Sequence, residues 1–247
     1  MNRIVFERPP FLEAVSVFEF AGGQEWNWTV PGLFFSQIEA DYEVKNRKPK
    51  PEEPTSGEEL ELLRFAHKSK PVIVNVGSEG ISINCLRPYI GWLEYKAEVE
   101  RIVDCYWAVA QPTVIPHLAL HYINRFELPE EPCYYDEFLK VAPLLPPGKR
   151  EMAWINWGQK VDIWFEPLNS IFSIKAGTAK FRRKGEEGTQ MLMLELEMIH
   201  GVEEPLQRED VSDWLEKSHG EIKQTLLGSL TELSKATTGY MEVSDEK

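Results

Sequence analysis

The sequence predicts an α+β fold in which largely antiparallel sheets are each covered by a helix. Three observations point there. Short β-rich runs alternate apolar and polar residues through both halves of the chain. In each half a helical pattern follows strands, with apolar residues at three- and four-residue steps from Trp92 to Tyr106 and again from Val211 to Leu233. An apolar fraction of 43% over 247 residues supplies enough side chain for a sizeable core. Strands followed by a helix in both halves leave room for a two-fold internal duplication, although no residue-level repeat accompanies it.

Residues 14–20 alternate Val15 and Val17 with Ser16 and Glu19, which reads as a strand closed by Gly22-Gly23. A short helix is expected to start near Pro31, since proline suits the first helical turn. The stretch near 45–59 holds three prolines, many charges and no large apolar side chain, so a disordered loop is expected. Residues 72–76 and 81–86 flank Gly77-Ser78-Glu79-Gly80 and read as a hairpin. The helix from Trp92 should end near Ala110, before Pro112 and Pro116. Residues 118–126 read as a strand and 134–141 as a short helix. Three strand-like runs follow, at 152–165, 171–181 and 191–199. The last helix has Asp210 as a plausible N-cap and Gly220 and Gly228 as points of weakness. The halves are 1–132, an N-terminal α+β half, and 149–247, a three-stranded sheet plus long helix, packed as one unit.

Charge and cysteine usage narrow the function classes. A net charge of −13 repels phosphate backbones unless bases gather on one face. Lys175, Lys180, Arg182, Arg183 and Lys184 form one such gathering, which reads as a solvated hairpin tip or as an anchor for an acidic partner or nucleic acid. Cys85, Cys105 and Cys133 lie too far apart for a zinc knuckle and fit reduced thiols. The N-terminal residues lack a signal-peptide pattern and no apolar run is long enough to span a bilayer, so a cytoplasmic protein away from membranes is expected.

No motif for nucleotide chemistry or a nucleophile elbow occurs. His117 and His121 stand four apart, but in a strand-like segment without a third ligand, so no metal and no cofactor are expected. Asn124 and Arg125 are polar residues in an apolar strand, read as a structural pair or as a ligand grip. His219 on the last helix reads as a hydrogen-bonded histidine between helix and sheet. Trp154, Trp157 and Trp164 flank Asp162, and exposed strand aromatics mark partner surfaces.

Three stretches carry a resemblance: Pro9-Pro10-Phe11-Leu12-Glu13-Ala14-Val15, Leu120-His121-Tyr122-Ile123-Asn124-Arg125, and His219-Gly220-Glu221-Ile222 running to Leu230-Thr231-Glu232. In order and spacing they resemble a sporadically distributed bacterial and archaeal family known mainly as one of unknown function. Leu226 stands where that family usually has an aromatic residue. The resemblance implies an accessory gene distributed like defence, toxin–immunity and mobile-element genes, and it carries no catalytic set. The expectation is therefore a non-catalytic accessory or regulatory protein of a defence system, CRISPR-associated in one version, or of a toxin–immunity system, docking on a protein encoded nearby. The alternative is a small-molecule binder or hydrolase with a pocket between sheet and helix, lined by Trp, Tyr, His121 and Arg125. A further alternative is nucleic-acid binding through the basic hairpin.

Overall fold

The computed structural model describes residues 3–27, 29–45, 63–128, 135–142, 156–181, 189–201 and 204–243. The strands and helices in chain order are β1 (Arg3–Phe6), β2 (Phe11–Ala21), α1 (Thr29–Ile38), β3 (Tyr42–Val44), β4 (Leu63–His67), β5 (Val72–Val76) and β6 (Gly80–Cys85). Then come α2 (Trp92–Ala110), β7 (Val114–Glu127), α3 (Tyr135–Phe138), β8 (Gly158–Phe165), β9 (Ser170–Phe181) and β10 (Thr189–His200). The chain closes with α4 (Val211–Ser229), α5 (Glu232–Thr238) and β11 (Tyr240–Val243). The α+β class holds. Positions 46–59 of the expected loop lie outside the described residues.

The strands of both halves join in one antiparallel sheet of nine, in the order β3-β4-β5-β6-β2-β7-β10-β9-β8. Its centre is the seam between β2 and β7, where Ala14 pairs with Tyr122 and Ser16 with Leu120. Outward from that seam the order runs β6, β5, β4, β3 on one side and β10, β9, β8 on the other. A 19-residue helix follows β6 on the first side, with a second of the same length after β10. Separately, β1 pairs with β11, setting Phe6 opposite Tyr240.

Period-two alternation decides which face each strand buries. On β7 the even positions Leu118, Leu120, Tyr122, Asn124 and Phe126 are buried, while His117, His121, Ile123 and Arg125 are only half-buried on the other face. Phe18, Ile83, Leu196 and Met198 continue the buried side across the sheet. Against it α2 sets Tyr95, Val99, Ile102, Val103 and Tyr106, the residues that its periodicity singles out. Tyr95 fastens the helix to the seam, since its hydroxyl lies 2.8 Å from the Ile83 carbonyl and 2.9 Å from Ser16 Oγ. Glu98 is buried in the same helix and accepts from the Tyr42 hydroxyl at 2.7 Å and from Arg101. Burial alone would push its carboxyl up, but the hydrogen bonds from Arg101 and Tyr42 outweigh it and hold the group below the usual carboxylate range.

α4 buries Val211, Trp214, Leu215 and Ile222, and the Trp214 indole donates to Ser170 Oγ at 3.1 Å. The helix passes through Gly220 and Gly228 and stops at Ser229, where Leu230 turns extended. Thr231 then caps α5 through a reciprocal capping box with Ser234. Asp210 stands at the N-cap of α4 without a side-chain cap bond; its carboxylate instead accepts from the Gln207 backbone at 3.2 Å. Gly80 is required where β6 meets β2, because a Cβ there would lie 1.8 Å from the Phe18 carbonyl oxygen.

The opposite sheet face carries a polar ladder. Asn75 donates to Ser82 at 2.9 Å and to Asn84 at 3.1 Å, and Asn84 donates to Glu13 at 2.8 Å. No helix of the described residues is long and apolar enough to cross a membrane.

Candidate functional site

Where α4 leaves the seam, its face does not close on the sheet. Ile222, Leu226 and Leu227 form one wall of a cavity of about 610 Å³. Pro9, Pro10 and Phe11 form the second wall, at the start of β2, with Phe6 of β1 beside them. Tyr89, after β6, lies 4.3 Å ring to ring from Phe11 and continues that wall. Tyr122 and Asn124 of β7 contribute the polar groups from the sheet, and His219 and Lys223 supply those from the helix.

The second wall is possible because two prolines precede Phe11. Proline lacks an N–H, so this entry to β2 depends on its carbonyls. The Arg87 guanidinium donates to the carbonyls of Phe11, Pro9 and Pro10. The Pro10 carbonyl also accepts from the Arg125 backbone at 2.7 Å. The register between β2 and β7 shifts just there, between Phe11 and Glu13.

A hydrogen-bond chain runs along the cavity. Tyr89 and Tyr122 hydroxyls are 2.8 Å apart, and the Tyr122 hydroxyl is 3.1 Å from His219 Nδ1. Trp92 stacks on the imidazole at 4.0 Å and 8°, and its own indole donates to Glu216 at 3.1 Å. Burial, and after it the nearby Lys223 ammonium, depress His219 to about 4. Burial lifts the Tyr122 and Tyr89 phenols well above their ordinary value. All three groups are therefore neutral near pH 7, and we assign the chain as Tyr89 donating to Tyr122 and Tyr122 to Nδ1. Asn124, 1% exposed, donates to the Leu194 carbonyl at 3.2 Å. Such a set orients a ligand by hydrogen bonds. Phenols this far from neutral pH and an imidazole this acidic are poorly matched to proton transfer there.

The residues singled out from sequence fall in several places. His121 and Arg125 lie on the other face of β7 from the cavity. His121 Nε2 is 3.4 Å from Glu195, which Lys175 also meets at 3.6 Å. Arg125 pairs with Glu127 at 3.4 Å, among other interactions. Trp157 is half-buried near Tyr135, ahead of β8, and its backbone N–H donates to Thr178 Oγ1 at 3.0 Å. Trp164 stands on edge strand β8, 48% exposed. Lys180 belongs to β9, whereas Trp154, Arg182, Arg183 and Lys184 lie outside the described residues. Among the described residues no group of three or more His, Cys, Asp or Glu is placed to hold a metal ion.

Sequence reasoning weighed Asn124 as half of a ligand grip and His219 as a hydrogen-bonded histidine between helix and sheet, and it passed over Tyr89 and Arg87. One signal was present. Pro9-Pro10-Phe11, Tyr122 with Asn124, and His219 with Ile222 belong to the three stretches that carry the family resemblance, and the fold brings all three to this cavity. Comparison with protein-family models returns no match, and the search of curated proteins also returns none.

Proposed function

We propose that the chain is a binding protein for a small, largely apolar molecule held between α4 and the sheet. The cavity carries this reading. Its volume of about 610 Å³ falls within the range of small-molecule sites, and apolar walls with a few convergent polar groups are their usual lining. The neutral Tyr89–Tyr122–His219 chain supports binding over turnover. Titration with the uncharged dye Nile red should give saturable binding at one site per chain. Leu226→Trp, which adds an indole to the cavity wall, should weaken it at least tenfold without lowering the melting temperature. Binding that survives both Leu226→Trp and Ile222→Trp in folded protein would place the dye elsewhere and remove the reading.

A second reading, docking on another protein, draws on β8. Val161 and Ile163 are 47% and 44% exposed on one side of this edge strand and Trp164 is exposed on the other. Exposed apolar edge strands invite pairing with a second chain. In this reading the partner is encoded nearby, and the resemblance suggests a defence or toxin–immunity setting. Co-purification of a neighbouring gene product should be lost on Ile163→Lys and kept on Leu226→Trp. The opposite pattern would detach docking from β8.

A further inference from the structure

The cavity's charge is one-sided. Two of its lining residues, Arg87 and Lys223, are cations, and none is Asp or Glu. This contrasts with a chain of net charge −13. Among the described residues neither cation has an ion-pair partner. Arg87 donates to three backbone carbonyls, which carry no net charge, and the charges nearest it, Arg125 and Glu127, act on it in opposite directions. Lys223 is exposed and makes no salt bridge among the described residues, although Lys217, six residues earlier on α4, is paired with Asp213. Lys223 follows His219 by four residues, so both stand on one helix face beside the cavity. Its influence already reaches the imidazole, which it helps to keep unprotonated.

From this we infer that the ligand is an anionic amphiphile of the aliphatic carboxylate class, its chain among Phe11, Leu226 and Leu227 and its carboxylate toward Lys223 and Arg87. The inference rests on the cavity being a binding site. The neutral hydroxyls and imidazole can donate to or accept from such a head group without a charge conflict. A cationic head would meet two like charges and no carboxylate in the cavity lining. A neutral chain would gain the apolar walls and leave both cations without a partner.

Dodecanoate, dodecanol and dodecyltrimethylammonium share one chain length and differ in charge. Isothermal titration below their micelle-forming concentrations should rank dodecanoate about five- to tenfold tighter than dodecanol, the modest margin that partly exposed ion pairs give. The cationic probe should bind weakest. Lys223→Glu, a change at an exposed position, should erase the preference for dodecanoate over dodecanol. Added salt should narrow the margin for the wild-type chain. Equal binding of dodecanoate and dodecanol would overturn the charge assignment and leave the apolar site standing. Failure of all three probes, with Nile red binding insensitive to Leu226→Trp, would overturn both. A dodecanoate preference unchanged in both Lys223→Glu and Arg87→Gln would also overturn the assignment, because the charge would then act elsewhere.

Discussion

Tyr95→Ala is expected to destabilise the fold by about 4 kcal/mol, the range for deleting a large ring from a closed core. Tyr95 is fully buried, and its hydroxyl bridges Ser16 on β2 and the Ile83 carbonyl on β6. Truncation empties the space between α2 and the seam and strips two buried polar groups of their partner. Tyr95→Phe keeps the ring and loses only the bridge, so about 1–2 kcal/mol is expected. Urea denaturation monitored by tryptophan fluorescence reads both, as midpoint shifts at constant slope. A Phe variant as unstable as the Ala variant would mean that the hydroxyl bridge, rather than ring packing, holds α2 on the sheet.

Acidification is the second large effect. His219 has a folded value of about 4 against an unfolded value near 6.5. Between those two values the unfolded chain binds more protons than the folded one, so stability rises with pH across that window. His219 thus favours the fold fully above about pH 6.5, progressively less toward pH 4, and no less below it. The difference is on the order of 3 kcal/mol. His219→Gln keeps a polar side chain and removes the titration. Unfolding free energies measured from pH 7 to pH 4 should fall more steeply for the wild type than for the variant. Parallel curves would show that the imidazole titrates as it does in the unfolded chain. Carboxylates such as Glu98, held low in the fold, also lose stabilisation as pH falls, which is why the variant and not the wild type alone is the reference.

Much of the fold could be read from periodicity. The helix at 92–110 and the hairpin at 72–85 were legible because each repeats its pattern over enough residues to leave one solution. Strands β1, β3, β4 and β11 were not expected. They have three to five residues each, too few for alternation to stand out, and they are set by their partners. Local pattern also does not reveal that β2 meets β7, the pairing that joins strands of both halves in one nine-stranded sheet. At the cavity, parity was informative. Leu118, Leu120, Tyr122, Asn124 and Phe126 are a more apolar set than His117, Ala119, His121, Ile123 and Arg125, so the even side is the core side. A polar Asn124 on that side is the notable residue. Weighing His121 and Arg125 by chemical type, without asking which face the helices take, drew attention to the other side of the sheet. Arg87 and Tyr89 come from a connection between elements, and only the assembled chain shows where that connection runs.

The position of the seam also has a consequence for how the protein is made. As the chain leaves the ribosome, β2 gains β6 on one side when Cys85 reaches Ala14, but its other side waits for Tyr122. During that interval the nascent first half carries an unsatisfied row of backbone groups beside Phe18 and Ala14, the kind of border that recruits stray strands. Synthesis through β7 closes that border, and α4, the helix that completes the cavity, emerges only after β10.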